Sequence, residues 1–387
     1  MQSPLPMAAA LPAWLKPARR ATRLIFLLSG IAMSAWAPMV PYAKSRLGLD
    51  DAQLGLILLA FGGGSILSMP LTGWLVHHVG MRKVIVGAGV ALCTVPPLLA
   101  WAPTANVLIF GLLYFGMALG AINVAMNAHA VEVERSDGRA LMSGFHGLFS
   151  LGGLTGAAAV SALLATGLPL LACSAAVSTV LAAIVVSQRD KLLDHVHDEA
   201  AERPPLRLPG TMAVLLGLLC FASFMAEGSM LDWSALFLRD FRDVAASAAG
   251  IGYACFSIAM ASGRLIGDRM IQRLGPVRMV RFGAALAAAG FAVVAVVPWA
   301  TASLIGFVLI GLGASNIVPV MFSAAGRLPG ASPAMSLAAV TVLGYAGLLI
   351  GPALIGFISN ASSLAWAMVF LAGLLVVVMA SARIVRR

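Results

Sequence analysis

The chain has 387 residues, of which 60% are apolar and 10% charged, and its mean hydropathy is +0.97. Soluble domains carry about 25% charged residues, so this composition excludes a water-soluble enzyme. The formal charge of +10 does not indicate nucleic-acid binding, because the basic residues lie in short gaps between apolar runs and form no exposed basic face for phosphates.

Lys16, Arg19, Arg20 and Arg23 precede the first apolar stretch, 21–43. A secretory leader would have a shorter apolar core and a small-residue cleavage site, so a first spanning helix is predicted here, behind a cytoplasmic tail over 1–20. A helix needs roughly 20 apolar residues to cross a bilayer. Eleven more such runs are predicted over 52–77, 84–102, 105–131, 140–166, 168–188, 211–238, 246–274, 277–298, 302–326, 334–359 and 362–382. Backbone polar groups in hydrocarbon must bond within the segment, so these are helices. The expectation is an all-α membrane protein of twelve transmembrane helices.

Between the sixth and seventh runs lies a polar stretch from Ser187 to Gly210 with three prolines. It divides the chain into a first half, 21–188, a cytoplasmic linker, 189–210, and a second half, 211–387. His195 and His197 stand there with Asp194 and Asp198; a solvated linker explains them more simply than a metal site. Cys93, Cys173, Cys220 and Cys255 lie inside apolar runs without paired spacing, and read as small buried hydrophobes. No disulfide, metal or cofactor is predicted.

With the N-terminus inside, 20 of the 25 Lys and Arg residues fall on the cytoplasmic side and Lys44, Arg46, Arg239 and Arg242 outside. The positive-inside rule then places both termini in the cytoplasm. The remaining cation, Arg264, is inside the eighth run. The two halves also resemble one another. Leu119-Gly120-Ala121-Ile122-Asn123 matches Leu312-Gly313-Ala314-Ser315-Asn316 at an offset of 193 (316 less 123). Val79-Gly80 matches Leu274-Gly275 at 195, and Trp36 matches Trp233 at 197. Three offsets near 195 predict a duplicated six-helix unit, and such repeats hold a binding site at mid-depth where they meet.

The turn after the second run reads Gly73-Trp74-Leu75-Val76-His77-His78-Val79-Gly80-Met81-Arg82-Lys83, and the second half has Gly263-Arg264-Leu265-Ile266-Gly267-Asp268-Arg269 followed by Gly275 and Arg278. These stretches resemble the cytoplasmic-loop motif of the major facilitator superfamily, with His77 where that motif has an acid. The resemblance covers about residues 20 to 385. Two further stretches, Asn123 to Arg135 and Ser143-Gly144-Phe145-His146-Gly147, resemble a bacterial subgroup near the fucose permeases that includes proteins assigned to rhizopine transport. The resemblance implies two pseudo-symmetric six-helix halves, a multi-pass location in the bacterial inner membrane, and a small solute, sugar- or polyol-like, carried by a monomer. It also implies a cytoplasmic gate containing His77, Arg82, Lys83, Asp268 and Arg269, joined by Glu132, Glu134 and Arg135, with His129 beside them.

Several residues are candidates for the transport chemistry. Glu227 lies mid-membrane, where an ionisable group is a functional hypothesis by default; it is read as the proton- or substrate-binding acid, against a purely structural carboxyl. Cys220, Ser223, Met230 and Ser234 share its face. Asp232 is assigned to a cap or outer gate with Arg239 or Arg242. Arg264 has Asp268 four residues on as its local partner, and the alternative is a reach toward Glu227. Asn123, Asn127 and Asn316 suit hydroxyl recognition because amides both donate and accept, or they bond neighbouring helices. His146 is a proton relay or a neutral structural imidazole. Gly62-Gly63-Gly64, Gly152-Gly153 with Gly156, and Gly347 with Gly351 read as sites of close helix packing, not phosphate loops. The expected function is proton-coupled transport of a small polar solute by alternating access. Drug or amphiphile efflux is the alternative, and a non-transporting sensor a remote one.

Overall fold

The computed structural model describes residues 12–49, 51–194, 210–244, 251–329 and 332–386. His195, His197 and Asp198 of the linker lie outside the described residues. The described chain is helical with no strand. Its helices are α1 (Leu15–Ala35), α2 (Val40–Leu47), α3 (Asp51–Val79), α4 (Met81–Trp101), α5 (Ala105–Asp137), α6 (Met142–Ala165) and α7 (Leu170–Gln188). After the linker come α8 (Thr211–Arg242), α9 (Ile251–Leu274), α10 (Pro276–Val296), α11 (Ala300–Ala314), α12 (Ile317–Ala325), α13 (Pro333–Ala361) and α14 (Leu364–Ala380). Among the described residues, eleven stretches are long and apolar enough to cross a membrane. The 24-residue α9 is long enough but carries Arg264, Asp268, Arg269 and Arg273, which sets it apart from the others.

Two differences from the predicted spans have clear causes. The first helix begins at Leu15, within the expected tail, because Arg19 is tied to Asp137 of α5 at 2.9 Å. The predicted continuous helix 302–326 is broken into α11 and α12 at Ser315-Asn316. Pro319 explains the break. A continuous helix would bond the Ser315 carbonyl to the N–H of residue 319, and proline has none.

Glycines set the closest helix pairs, as their sequence pattern predicts. In α3 against α5, a Cβ on Gly116 would strike the Phe61 carbonyl; in α9 against α11, one on Gly311 would strike the Phe256 carbonyl. Both members of these pairs are 195 residues apart (311 less 116, 256 less 61). Likewise Gly152 of α6 meets the Leu27 carbonyl of α1, and Gly347 of α13 meets the Phe221 carbonyl of α8. With little apolar driving force between helices in lipid, such contacts hold the bundle by van der Waals packing.

Arg46 and Arg242, at the end of the bundle away from most Lys and Arg residues, have a structural role. Arg46 donates to the carbonyls of Leu99 (3.1 Å) and Ala100 at the C-terminus of α4. Arg242 donates to the Val294 carbonyl (2.6 Å) at the end of α10 and to Ser303 Oγ (3.0 Å), and stacks over Phe237. Each guanidinium satisfies carbonyls that a helix end leaves unbonded. Contacts between the earlier and later helices run through α3 with α13, α5 with α13, and α6 with α9. These seams carry the polar groups described next.

Candidate functional site

Arg264 links three elements across the α6–α9 seam. Its Nη2 donates to both Glu227 carboxylate oxygens of α8, at 3.3 and 3.1 Å; its Nη1 donates to Ser150 Oγ of α6 at 3.1 Å; and its Nε donates to the Ser315 carbonyl at 3.2 Å. The Ser315 carbonyl is the one released by Pro319, so the helix break supplies an acceptor for the buried cation. Arg264 thus pairs with Glu227 and not with Asp268, the partner favoured by helical spacing. The reason is that Asp268 is engaged elsewhere, as shown below. Side-chain exposure is 10% for Arg264 and 15% for Glu227. At that depth neither charge is tolerable alone.

A second polar chain begins one turn earlier on α6. His146 Nε2 meets Asn127 Oδ1 at 3.2 Å, and since that oxygen only accepts, the imidazole donates. Asn127 Nδ2 donates to Asn123 Oδ1 (3.2 Å) and to the Asn123 carbonyl (2.8 Å). Asn123 Nδ2 donates to Tyr345 Oη of α13 at 3.3 Å. Every step donates in the same direction. The Tyr345 hydroxyl proton at the far end therefore has no acceptor within the chain itself. Phe26 and Phe322 flank His146 edge-on, at 5.2 and 5.7 Å between ring centroids. Ser150 Oγ also donates to the His146 carbonyl (3.2 Å), which joins the two networks through α6. Asn316 sits at the helix break, donating to the Gly263 carbonyl of α9 (3.0 Å) and to Ser315 Oγ (2.8 Å). It holds the break open and is not part of the Asn123–Asn127 chain.

At the end of the bundle rich in Arg and Lys, two carboxylates converge on the N-terminus of α6. Glu134 Oε2 accepts the N–H groups of Leu141 (2.8 Å) and Met142 (2.9 Å); Asp268 Oδ1 and Oδ2 accept those of Ser143 (2.9 Å) and Gly144 (2.8 Å). All four donors that a helix start leaves free are thereby bonded, and both negative charges face the positive end of the helix dipole. Gly144 is required, because a Cβ there would meet Asp268 Oδ2. Glu134 further accepts the Ser323 hydroxyl of α12, with Arg327 at 3.9 Å. The residue 195 positions before Asp268 is Gly73, and it packs on Ala334, Met335 and Ala338 in the first turns of α13. The place equivalent to Asp268 in α3 is therefore Gly73 and not His77, and Gly73 meets α13 by van der Waals contact.

The other expected gate residues are dispersed. Arg82 donates from Nε and Nη2 to the Leu192 carbonyl at 3.0 and 2.9 Å, anchoring the start of the linker. His77 packs edge-on against His78, which stacks on Trp74. Lys83, Arg135 and Arg269 are exposed, and Glu132 is buried. His129 serves the first group of helices: its Nε2 accepts the Leu193 N–H (2.9 Å), so its Nδ1–H donates to Thr22 Oγ1 (3.0 Å). That makes it a neutral structural imidazole. At the opposite end, Arg239 bonds Asp240 at 2.5 and 3.0 Å, which holds the Asp240 carboxyl below its ordinary range. Neither Arg239 nor Arg242 pairs with Asp232.

Sequence reasoning passed over Tyr345, Ser315, Ser323 and Pro319. The signal for Ser315 and Pro319 was present: a proline four residues after a serine, in an otherwise apolar run, marks the broken helix typical of transporter sites. Tyr345 carried no periodic signal, because its partner lies 222 residues away in sequence.

Residues 23–332 match the family model described as Major Facilitator Superfamily. The chain is similar to an uncharacterised MFS-type transporter of Yersinia pestis, with 49% identity over 95% of each chain. It is also similar to the membrane protein MosC of Rhizobium meliloti, with 30% identity over 91% of this chain and 86% of the relative. Among solved structures it shares its fold with the Escherichia coli fucose:proton symporter FucP, with a TM-score of 0.80, 18% identity, and coverage of 97% and 100% of the two chains. The match to the family model over most of the chain, together with the extent of the Yersinia relative, shows that the chain belongs to the Major Facilitator Superfamily of membrane transporters.

Proposed function

We propose that this chain is a proton-coupled secondary transporter that moves a small hydroxyl-rich solute, of sugar or polyol type, across the bacterial inner membrane by alternating access. In this reading two pseudo-symmetric six-helix halves, 21–188 and 211–387, rock about the site as a monomer, joined by the cytoplasmic linker 189–210, with both termini inside. The contacts recurring at an offset of 195 and the Lys/Arg distribution support that layout. The observation that carries the substrate class is the donor-ordered chain from His146 through Asn127 and Asn123 to Tyr345. It ends in a hydroxyl donor at the seam, and its amides offer both donors and acceptors, the chemistry that reads a polyol. The fold shared with a fucose:proton symporter agrees with that class.

Glu227 is the proton site in this mechanism. While it is ionised, Arg264 is bound to it and the seam is pinned through Ser150 and Ser315. Protonation removes the charge, weakens the pair and releases the guanidinium, and the halves can then part. Ligand shifts that equilibrium only by its differential affinity for the two states.

The test is a thermal-shift screen of the purified protein against sugars, polyols and cationic amphiphiles, with wild type and Glu227→Gln compared at two pH values. A ligand at 100 times its Kd adds about 2.7 kcal/mol of stability. Stabilisation by a polyol, with a pH dependence that the variant lacks, is the expected result. Stabilisation by amphiphiles alone would replace this reading with efflux.

A further inference from the structure

A cavity of about 440 Å³ opens at the basic end, between the end of α5, the start of α6, and α9, α10 and α12. Its charged lining is three guanidiniums, Arg135, Arg139 and Arg327, and one carboxylate, Glu134. That carboxylate can offset only one of the three, which leaves the lining with an excess of two positive charges. Its oxygens are engaged by the Leu141 and Met142 amides and the Ser323 hydroxyl, and Arg327 approaches it only to 3.9 Å. Arg139 is exposed and lies 3.7 Å from the buried Asp137, which Arg19 already holds at 2.9 Å, so Asp137 is shared between two guanidiniums. Arg135 makes no ion pair among the described residues. The first residue of α10, Pro276, forms part of the wall, so the positive end of that helix dipole lies at the same space.

We infer that this cavity binds a phosphate-type anion, and that the bound anion holds the basic end closed. Guanidinium forks match the geometry of phosphate oxygens. The walls come from α5 and α6 on one side of the seam and from α9, α10 and α12 on the other, so an anion held by Arg135, Arg139 and Arg327 bridges both. The phosphate group can belong to a soluble compound or to the headgroup of an anionic lipid.

Purified full-length protein in neutral detergent is titrated separately with inorganic phosphate and with short-chain phosphatidylglycerol, at ionic strength held constant with sodium chloride, while the thermal midpoint is followed. A saturable rise is expected, with affinity at least about tenfold weaker in Arg135→Gln/Arg139→Gln, where two of the three forks are gone. Gln272→Glu, which adds a carboxylate to the lining, has the same effect and guards against loss of the double variant through misfolding. A response to phosphate assigns a soluble ligand, and a response to the lipid alone assigns a headgroup. In a Gly73→Cys/Ala338→Cys protein, whose new thiols meet only when the basic end is closed, the anion also speeds disulfide formation by a fixed concentration of added thiol oxidant, which takes up the two electrons and two protons. A flat midpoint with both probes, or equal shifts in wild type and variants, overturns the site; an unchanged cross-linking rate overturns its closing action. The substrate screen can fail without affecting either result.

Discussion

The Arg264 guanidinium bonds α8, α6 and the α11–α12 break at once, and its balance with Glu227 decides how firmly that seam is held. Removing one partner of a buried ion pair leaves an uncompensated charge and costs roughly 3–5 kcal/mol. Glu227→Gln is therefore expected to lower the stability of the purified protein by about 3 kcal/mol, toward the lower end because the amide still accepts a hydrogen bond. In proteoliposomes the same variant should transport without dependence on the proton gradient; uptake that still follows the gradient would show the proton binding elsewhere. The Asn123–Tyr345 bond is smaller. A cycle of Asn123→Ala, Tyr345→Phe and the double variant should give a coupling of about 0.6 kcal/mol, the usual size for a polar contact between membrane helices. A larger effect on ligand affinity than on stability would mark Tyr345 as a substrate contact.

At the level of elements, the break between α11 and α12 joins local chemistry to the site. Pro319 withholds one N–H, Ser315 keeps a free carbonyl, and Arg264 takes it. Pro319→Ala restores that N–H and lets the helix run on through Ser315. The variant should be as stable as wild type or more so, because a proline-free helix gains a hydrogen bond. Its transport rate should fall, since Arg264 loses its fixed acceptor. A rate equal to wild type, measured at saturating substrate, would show that the break has no part in the cycle. The start of α6 shows the same economy of design: its uncapped amides became the docking point for Glu134 and Asp268.

At the scale of the whole molecule, the basic end carries one polar and one apolar contact across the seams. Asp268 binds the start of α6, while Gly73 lies against the start of α13. A Cβ built on Gly73 stands 2.9 Å from that of Ala338, tighter than the spacing of about 3.5–4.5 Å that a disulfide adopts, so the two helices must ease apart by about 1 Å to take the cross-link. Oxidised Gly73→Cys/Ala338→Cys should be transport-dead and should recover on reduction. Full activity in the oxidised protein, with the cross-link verified by mass shift, would refute alternating access through this seam.

The sequence by itself determined the membrane character, the helical class and most helix limits, because these follow from local apolarity and the need to bond every backbone group in lipid. It also singled out Glu227, Arg264, Asn123, Asn127 and His146, since polar groups in apolar runs stand out without any structure. Which of them meet was decided only by the tertiary structure. Local spacing offered Arg264 to Asp268, but close packing of α6 on α9 delivered Asp268 to the free amides of α6 and left Arg264 to Glu227. The motif suggested His77 as the counterpart of the latch acid, yet helix register put Gly73 there. Polar partners in these seams are as many as 222 residues apart in the chain, and a helical periodicity describes only the face a residue lies on, not the helix that comes to meet it.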